Sequence, residues 1–490
     1  MSVRGGLGRR LVSESAVYGL GGVANQALTV ILVPIYARVL GETGMGVVAV
    51  INATLSLSQL FATLALPQAF FRAYLRDADS DAERRRVLAG SFGLRLVVSL
   101  AVLALYSVAS VPLTSAVFGD MADLPLLLLI GPIVFLDSLN LVPLSFLRAA
   151  RQPRTYALIS FGRAVLGSLL IILFVVALDL GPLGVVLGSV GSALVTAVIG
   201  MALYLRRTSI GPRWDGGLSR SMLAFSLPLV PAALAGWGLN FADRYVLNAF
   251  RSLDELGVYS VGYTGGLVIN ALAVAPFTLA WGAAYWEIGR SDEAPVAFRR
   301  VLTLFTIGAS AGALTLTALG TDAIRLLLTP AFDDARYIVP FSAFGMVLYG
   351  VYQVVATGLN LTSRTRLLPL TMGAAAITNV ALNLLLVPPL GMYGAGIATI
   401  AGYLVLAIAT AAAGHRHYPV PWDVPRVLGA LVLASGLGAA SLLGPDSTLW
   451  RLACLVAFAV AVVALRILEP ADVARARSAV SRRLTSGRGR

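Results

Sequence analysis

Long runs of apolar residues, separated by short charged or Pro/Gly-rich stretches, recur along the whole chain. Each run is close to the ~20 residues that one helix needs to cross the hydrocarbon core of a bilayer. The runs cover residues 15–37, 45–70, 88–110, 124–147, 155–178, 184–205, 222–249, 256–285, 300–319, 337–361, 366–387, 393–413, 426–443 and 449–467. The pattern predicts fourteen transmembrane helices and therefore an all-α polytopic membrane protein.

The composition supports a membrane protein and excludes several classes of enzyme. Hydrophobic residues make up 58% of the 490 residues and charged residues only 12%, whereas charge makes up about a quarter of soluble domains. All 37 basic residues are arginines, which excludes a P-loop lysine and a Schiff-base lysine. The short loops leave no room for a catalytic domain. We therefore expect no enzyme activity and no cofactor.

Other ligands are also disfavoured. His415 and His417 stand without a nearby cysteine or carboxylate cluster, so no metal site is expected. The net charge of +13 is spread over many loops, and a nucleic-acid reader would gather it on one patch. The single cysteine, Cys454, is interpreted as a small buried hydrophobe.

The distribution of arginines predicts the orientation of the chain. With the N-terminus inside, 29 arginines fall in the termini and even-numbered loops, five fall outside and three fall within spans. Cytoplasmic loops are the ones enriched in basic residues. Both termini are predicted to be cytoplasmic, in a multi-pass protein of the inner (plasma) membrane.

An internal repeat predicts the domain organisation. Gly46-Val47 matches Gly257-Val258 at an offset of 211, and Arg154-Thr155 matches Arg364-Thr365 at an offset of 210. Six helices per repeat give two lobes in the same orientation, related by a pseudo-twofold axis along the membrane normal. The predicted parts are an N-terminal lobe at 10–210, a C-terminal lobe at 211–418, accessory helices 13 and 14 at 419–470 and a basic cytoplasmic tail at 471–490 that contacts lipid headgroups.

Arginines within the predicted spans are candidates for substrate binding. Arg95 and Arg163 lie several residues into the third and fifth spans, and Arg72 lies at the predicted cytoplasmic end of the second. An ionisable group in a span costs at least ~2.5 kcal/mol and is by default a functional candidate. The guanidinium fork suits a phosphate or pyrophosphate. Snorkelling to the headgroups or pairing between helices is the alternative.

The seventh span carries the sequence LNFADRYVLNAF, with Asp243 beside Arg244. Adjacent helical residues point about 100° apart, so the two are not expected to neutralise each other along one face. Instead Asn240, Arg244 and Asn248 form a polar stripe and Asp243 faces another helix. The residues either lock the lobes together, line the cavity or couple to an ion. Polar groups assigned to coupling or helix contact also include Asn25 of the first span and Asp137 of the fourth.

Several segments together resemble one transporter family. VPIYARVLGETGMGVVAV after the first span, PLVPAALAGWGLNFADRYVLNAFRSLDELGVYSVGYT in the seventh and NVALNLLLVPPLGMYGAGIATIAG in the eleventh and twelfth are similar to the polysaccharide transporter (Wzx-type) branch of the multidrug/oligosaccharidyl-lipid/polysaccharide (MOP) flippase superfamily. The resemblance spans residues 10–415. It implies a V-shaped, MATE-like pair of six-helix lobes and alternating access. Arg72, Arg95, Arg163 and Arg244 are the positions that it would assign to the anionic lipid head.

Two functions follow as hypotheses. The first is a flippase that moves an undecaprenyl-pyrophosphate-linked oligosaccharide, for O-antigen, other lipopolysaccharide or exopolysaccharide synthesis, from the cytoplasmic to the outer leaflet. The second is a cation-coupled multidrug exporter, whose embedded acid would have to be Asp137 or Asp243. The expected partners are the lipid-linked substrate, membrane lipids, a proton or sodium counter-ion and a polysaccharide polymerase or ligase. The arginine bias of the spans favours the first hypothesis, because it would repel cations.

Overall fold

The computed structural model describes residues 2–119 and 121–468, and it describes most side chains only from Leu32 onward. The described residues form eighteen α-helices joined by short turns. They are α1 Ser2–Thr63, α2 Leu66–Arg72, α3 Asp81–Val117, α4 Leu124–Leu128, α5 Ile130–Ala149, α6 Pro153–Ile172, α7 Gly181–Thr208, α8 Gly216–Ser226, α9 Val230–Phe250, α10 Leu253–Gly266, α11 Ala275–Ile288, α12 Ala294–Leu327, α13 Val339–Val355, α14 Thr357–Leu361, α15 Leu367–Leu390, α16 Met392–His415, α17 Val424–Leu443 and α18 Thr448–Ala464. The all-α prediction is confirmed.

The number of spans agrees closely with the sequence pattern. By length and composition, the described residues contain twelve helices that could cross a membrane, together with the shorter apolar helix Thr448–Ala464. The first two predicted spans run together as α1, which is interrupted at Gly41 by backbone angles of φ 66° and ψ −173°. Only glycine adopts such angles at little cost. The predicted fourteen spans therefore correspond to the twelve helices, the N-terminal part of α1 and α18.

The helices group into two compact units. The first contains the residues up to Val261 together with Leu328–Phe332 and Pro369–Gly402. The second contains Gly262–Leu327, Asp333–Leu368 and the residues from Tyr403 onward. The first unit has an apolar core in which the Tyr204 ring packs edge-on against Phe92 and Phe146. The division into lobes at 10–210 and 211–418 stays a prediction.

Within the first unit, residues at equivalent positions of the predicted repeat contact one another. A Cβ at Gly46 would lie 2.0 Å from the carbonyl oxygen of Leu253, and a Cβ at Gly257 would lie 1.9 Å from the carbonyl oxygen of Glu42. The Thr43 hydroxyl donates a hydrogen bond to Asp254, 211 residues further along the chain. Each of these contacts joins a residue to the region of its own counterpart, as a twofold axis between α1 and α10 would require.

The segment that follows α7 is fastened to the start of α3. The backbone N–H of Arg213 donates to the carbonyl oxygen of Ala89 at 3.0 Å. Asp215 caps α8 by accepting a hydrogen bond from the Leu218 N–H. Its carboxylate also accepts hydrogen bonds from Nε and Nη2 of Arg86, at 2.5 and 3.1 Å. The bidentate guanidinium lowers the pKa of Asp215 to about 2. Because this pKa is depressed, the pair is intact at neutral pH and weakens only as the pH falls below ~4, the usual pKa of Asp.

We expect Gly46→Ala and Gly257→Ala to destabilise the protein by similar amounts. Each new methyl group would overlap a backbone carbonyl, so the backbone has to shift, at a cost of about 1–3 kcal/mol. Gly236→Ala on α9 is the matched control, because nothing lies within 4 Å of its Cβ position. Thermal unfolding in detergent measures the effect. Two alanine variants as stable as the control would contradict the close α1–α10 contact.

Candidate functional site

A buried guanidinium faces a cavity between four helices of the first unit. Arg95 lies about 21 Å along α3 from Asp81, and only 5% of its surface is exposed. Its Nη1 lies 3.5 Å from the Ser138 hydroxyl, at the outer limit for a hydrogen bond. Ser138 is in turn 2.6 Å from the Ser99 hydroxyl. Among the described residues Arg95 has no carboxylate partner, so its charge is compensated only weakly by the protein.

The cavity beside Arg95 combines a few polar groups with an apolar wall. Its enclosed space has room for about one water molecule, and the roughly 310 Å³ of empty space around it includes space open to solvent. Its lining is Leu66, Phe70, Leu88, Ser91, Arg95, Leu141, Val142, Ser145 and Met222, from α2, α3, α5 and α8. Sequence analysis predicted Arg95 as a candidate but missed Ser91, Ser138 and Ser145. Serines in apolar spans are common, and nothing in the sequence distinguishes these three.

The wall formed by α2 follows a break in the second predicted span. Helix α1 ends at Thr63, and Leu64 and Ala65 have positive φ angles of 44° and 53°. Two successive non-glycine residues in this region are strained. Pro67 then lies in the first turn of α2, where proline is tolerated. Transporters place such discontinuous helices at their binding sites, and this one contributes Leu66 and Phe70 to the cavity.

Arg163 is neutralised by a carboxylate on a neighbouring helix. Its Nη2 lies 2.5 Å from Oδ1 of Asp137, and Nε2 of Gln59 donates to the other carboxylate oxygen at 2.8 Å. The pair joins α1, α5 and α6. Arg163 could have bound a phosphate, reached the lipid headgroups or paired with another helix. In the structure it pairs with another helix. Asp137 and Ser138 are sequence neighbours, so α5 contacts the partly exposed Arg163 through a carboxylate and the buried Arg95 through a hydroxyl.

Asp243 and Arg244 pair directly, so the expectation that they would not neutralise each other is wrong. Arg244 Nη1 lies 2.6 Å from Asp243 Oδ1 and 2.5 Å from the carbonyl oxygen of Asn240. A long, flexible arginine side chain curls back across the 100° between the two positions. The Tyr259 hydroxyl of α10 donates to the second oxygen of Asp243, so Asp243 does face another helix. The two residues are only 2% and 7% exposed.

The remaining predicted residues occupy different environments. Arg72 is partly exposed, pairs with Asp77 at 3.4 Å and lies with its guanidinium 4.9 Å from the ring centre of Phe225 on α8. Helices α2 and α8 both contribute residues to the cavity beside Arg95, but Arg72 is not one of its lining residues. The Asn240 amide donates to the carbonyl oxygen of Gly236 at 2.7 Å. The side chain of Asn25 lies outside the described residues.

We expect Asp137 and Arg163 to be thermodynamically coupled. Asp137→Asn leaves a guanidinium without its carboxylate among apolar helices, and Arg163→Gln leaves a carboxylate without its arginine. The losses of stability in the two single variants should therefore add up to more than the loss in the double variant. A double-mutant cycle in detergent should give a coupling energy of about 1–3 kcal/mol. The exposed pair of Arg84 and Asp81, 3.5 Å apart, is the control and should give at most about 0.5 kcal/mol. Additive effects at 137 and 163 would refute the coupling.

The chain matches one protein family by sequence and several transporters by structure. The family described as Polysaccharide biosynthesis protein matches residues 11–281, more than half of the chain. No curated protein sequence is a significant match. The lipid II flippase MurJ, in an inward closed conformation, is similar with a TM-score of 0.71 and 13% identity over 90% of this chain and 96% of MurJ.

Two further structures have the same fold. An inward-facing multidrug resistance MATE family transporter of the MOP superfamily is similar with a TM-score of 0.63 and 17% identity, over 83% of this chain and 95% of that one. A MOP superfamily transporter from Pyrococcus furiosus, described as having a binding pocket of reverse polarity, is similar with a TM-score of 0.55 and 14% identity, over 86% of this chain and 96% of that one. The resemblance seen in the sequence is confirmed. The chain belongs to the polysaccharide biosynthesis protein family and has the fold of the MOP flippase superfamily.

Proposed function

We propose that this membrane protein is a flippase that carries an undecaprenyl-pyrophosphate-linked oligosaccharide from the cytoplasmic to the outer leaflet by alternating access. The observation that carries the proposal is the charge balance of the buried residues in the first unit. Asp137 pairs with Arg163 and Asp243 with Arg244, while among the residues that the structure describes Arg95 has only a hydroxyl at 3.5 Å. The excess is one positive charge beside a cavity, which favours an anionic substrate.

The four arginines have different parts in this proposal. Arg95 binds the anionic head directly, because its donors are not engaged by a carboxylate. Arg72, which is partly exposed and lies on the helix that contributes Leu66 and Phe70 to the cavity, attracts the head. Arg163 and Arg244 are held by aspartates, so they contribute to binding only if those pairs open. The membership of the chain in a polysaccharide biosynthesis family supports a saccharide-bearing substrate.

The alternative is a cation-coupled multidrug exporter, since a MATE transporter has the same fold. Its acid would be Asp137 or Asp243. A cation would then have to displace an arginine from that carboxylate and leave the guanidinium without its counter-ion among apolar helices. This requirement disfavours the exporter. The flippase proposal also includes cytoplasmic termini and a proton or sodium counter-ion. It further includes a polymerase or ligase partner and the lack of enzyme activity.

Arg95→Gln should abolish complementation of a deletion strain, with lipid-linked saccharide accumulating on the cytoplasmic face. Arg95→Lys should retain part of the activity, because it keeps the charge without the fork. Arg84→Gln is the control, since Arg84 forms only an exposed pair. Export of a quaternary ammonium compound from proteoliposomes, lost in Asp243→Asn, would overturn the proposal in favour of the exporter.

Alternating access also requires that the Thr43–Asp254 contact open during each cycle, because Thr43 lies in the predicted outer loop beside the Gly41 break of α1 and Asp254 lies in the first turn of α10. A Thr43→Cys, Asp254→Cys variant in a Cys454→Ser background should form a disulfide under oxidation and lose transport. A reductant should break the disulfide and restore transport. Each single-cysteine variant should be unaffected by oxidation. Full transport by the cross-linked protein would exclude opening at this contact.

A further inference from the structure

We propose that a polar window on α13, formed by Tyr349 and Gln353, is a subsite for one uncharged sugar residue of the substrate. The inference rests on the proposed function, and it assigns the saccharide to the second unit, whereas the candidate arginines belong to the first. The stretch from Ser342 to Leu359 is close to the ~20 residues of one membrane span. Within it only Tyr349 and Gln353 are partly exposed, and every other residue is buried.

The two exposed side chains are both polar, which indicates that the window opens onto water and not onto lipid. The Gln353 amide forms one hydrogen bond within the described chain, from Nε2 to the Tyr349 hydroxyl at 3.0 Å. An amide has two N–H donors and an acceptor oxygen, so the second N–H and the oxygen need partners from outside the protein. Acyl chains provide none, and a polar group that faces them within a span is costly.

Two buried tyrosines hold the ring of Tyr349 in place. The Tyr352 ring centre lies 5.7 Å from that of Tyr349, and the Tyr403 ring of α16 packs edge-on against it at 6.0 Å. The partly exposed ring of Tyr349 therefore stands beside the Gln353 amide in a fixed position. Ligand sites commonly combine an aromatic surface with a few placed polar groups. A sugar residue matches both, because its C–H face can contact the ring while its hydroxyls bond to the amide.

The helix beside the window departs from α-helical geometry at the same level. A π-helix, Asn270–Val274, follows α10 and packs against α13. The contacts on either side of it are those of Gly266 with Ser342 and of Trp281 with Thr357. Both contacts join residues 76 positions apart, which places the π-helix beside the window. Such single π-helical turns occur frequently at functional sites.

The lack of charge on this stretch decides which part of the substrate suits it. No Asp, Glu, Lys, Arg or His occurs between residues 342 and 359. An anionic group would find no cation on this stretch, whereas uncharged hydroxyls can exchange hydrogen bonds with an amide and a phenol. The match to a polysaccharide biosynthesis family supports a substrate that carries such hydroxyls. The ligand class is therefore an uncharged sugar residue.

Cysteine labelling in nanodiscs tests whether the window is hydrated. Gln353→Cys in a Cys454→Ser background should react with a charged, water-soluble methanethiosulfonate reagent, because the reactive thiolate forms only in contact with water. Val432→Cys is the control, since Val432 of α17 is 69% exposed but is an apolar position that the bilayer would cover. It should stay unlabelled. An unlabelled Gln353→Cys would show that the window faces lipid and would overturn the subsite.

Binding of two lipids to the full-length protein in nanodiscs tests the contact with sugar. The first is the lipid-linked saccharide extracted from membranes of a deletion strain, and the second is bare polyprenyl pyrophosphate. Gln353→Leu should weaken binding of the first about tenfold, through the loss of one or two hydrogen bonds, and leave the second unchanged. Ser342→Ala is the matched control and should bind both lipids normally, because that buried hydroxyl already bonds to the Val339 carbonyl oxygen at 3.1 Å.

Tyr349→Phe, which removes a single hydroxyl, gives the same comparison if the unfolding temperature shows that Gln353→Leu is not folded. Equal weakening of both lipids, or no weakening of either, would overturn the subsite. If only the saccharide-bearing lipid binds more weakly but the wild-type protein moves none of it in proteoliposomes, the proposed function fails and the subsite stands. If the wild-type protein moves that lipid and the folded variant binds both lipids normally, the function stands and the subsite fails.

Discussion

The structure depends on how charges are compensated among apolar helices. A lone ion in such surroundings is costly, so every buried guanidinium needs a carboxylate, a set of dipoles or a ligand. Two of the three arginines within the first unit's spans meet this need inside the protein, through Asp137 and Asp243. Arg95 meets it only in part, through a distant hydroxyl. Arg95, whose charge is compensated least, also lines a cavity. The proposed function therefore assigns the anionic head of the substrate to this residue.

The two compensated pairs hold helices rather than substrate. Arg163 and Asp137, with Gln59, connect α6, α5 and α1. Arg244 and Asp243, with Tyr259, connect α9 and α10. A further link between α9 and α1 comes from Trp237, whose indole N–H donates to the Ala53 carbonyl oxygen at 3.3 Å, and from Tyr245, whose hydroxyl is 2.7 Å from that of Thr54. These contacts connect α1 with α5, α6 and α9.

The close contact of α1 and α10 connects the repeat to the proposed transport cycle. Glycines at 46 and 257 allow the two backbones to meet, and Thr43 and Asp254 form a hydrogen bond beside them. Leu253, the first residue of α10, also packs against the apolar cluster that contains Val47 and Ile51 of α1. The proposed transport cycle therefore has to separate both polar and apolar contacts at this place.

The membrane-spanning segments could be predicted from the sequence alone, because the length of an apolar run and the charges at its ends follow from the thickness of a bilayer; the breaks at Gly41 and at Leu64 and Ala65 could not. The sequence also identified the ionisable residues within the spans, since few charges occur there, and the equivalence of Gly46 and Gly257. The tertiary structure decided which arginine is paired, because Asp137 and Arg163 are distant in the chain and meet only through helix packing. It reversed the expectation for Asp243 and Arg244, since the reach of a flexible side chain is not contained in helical periodicity.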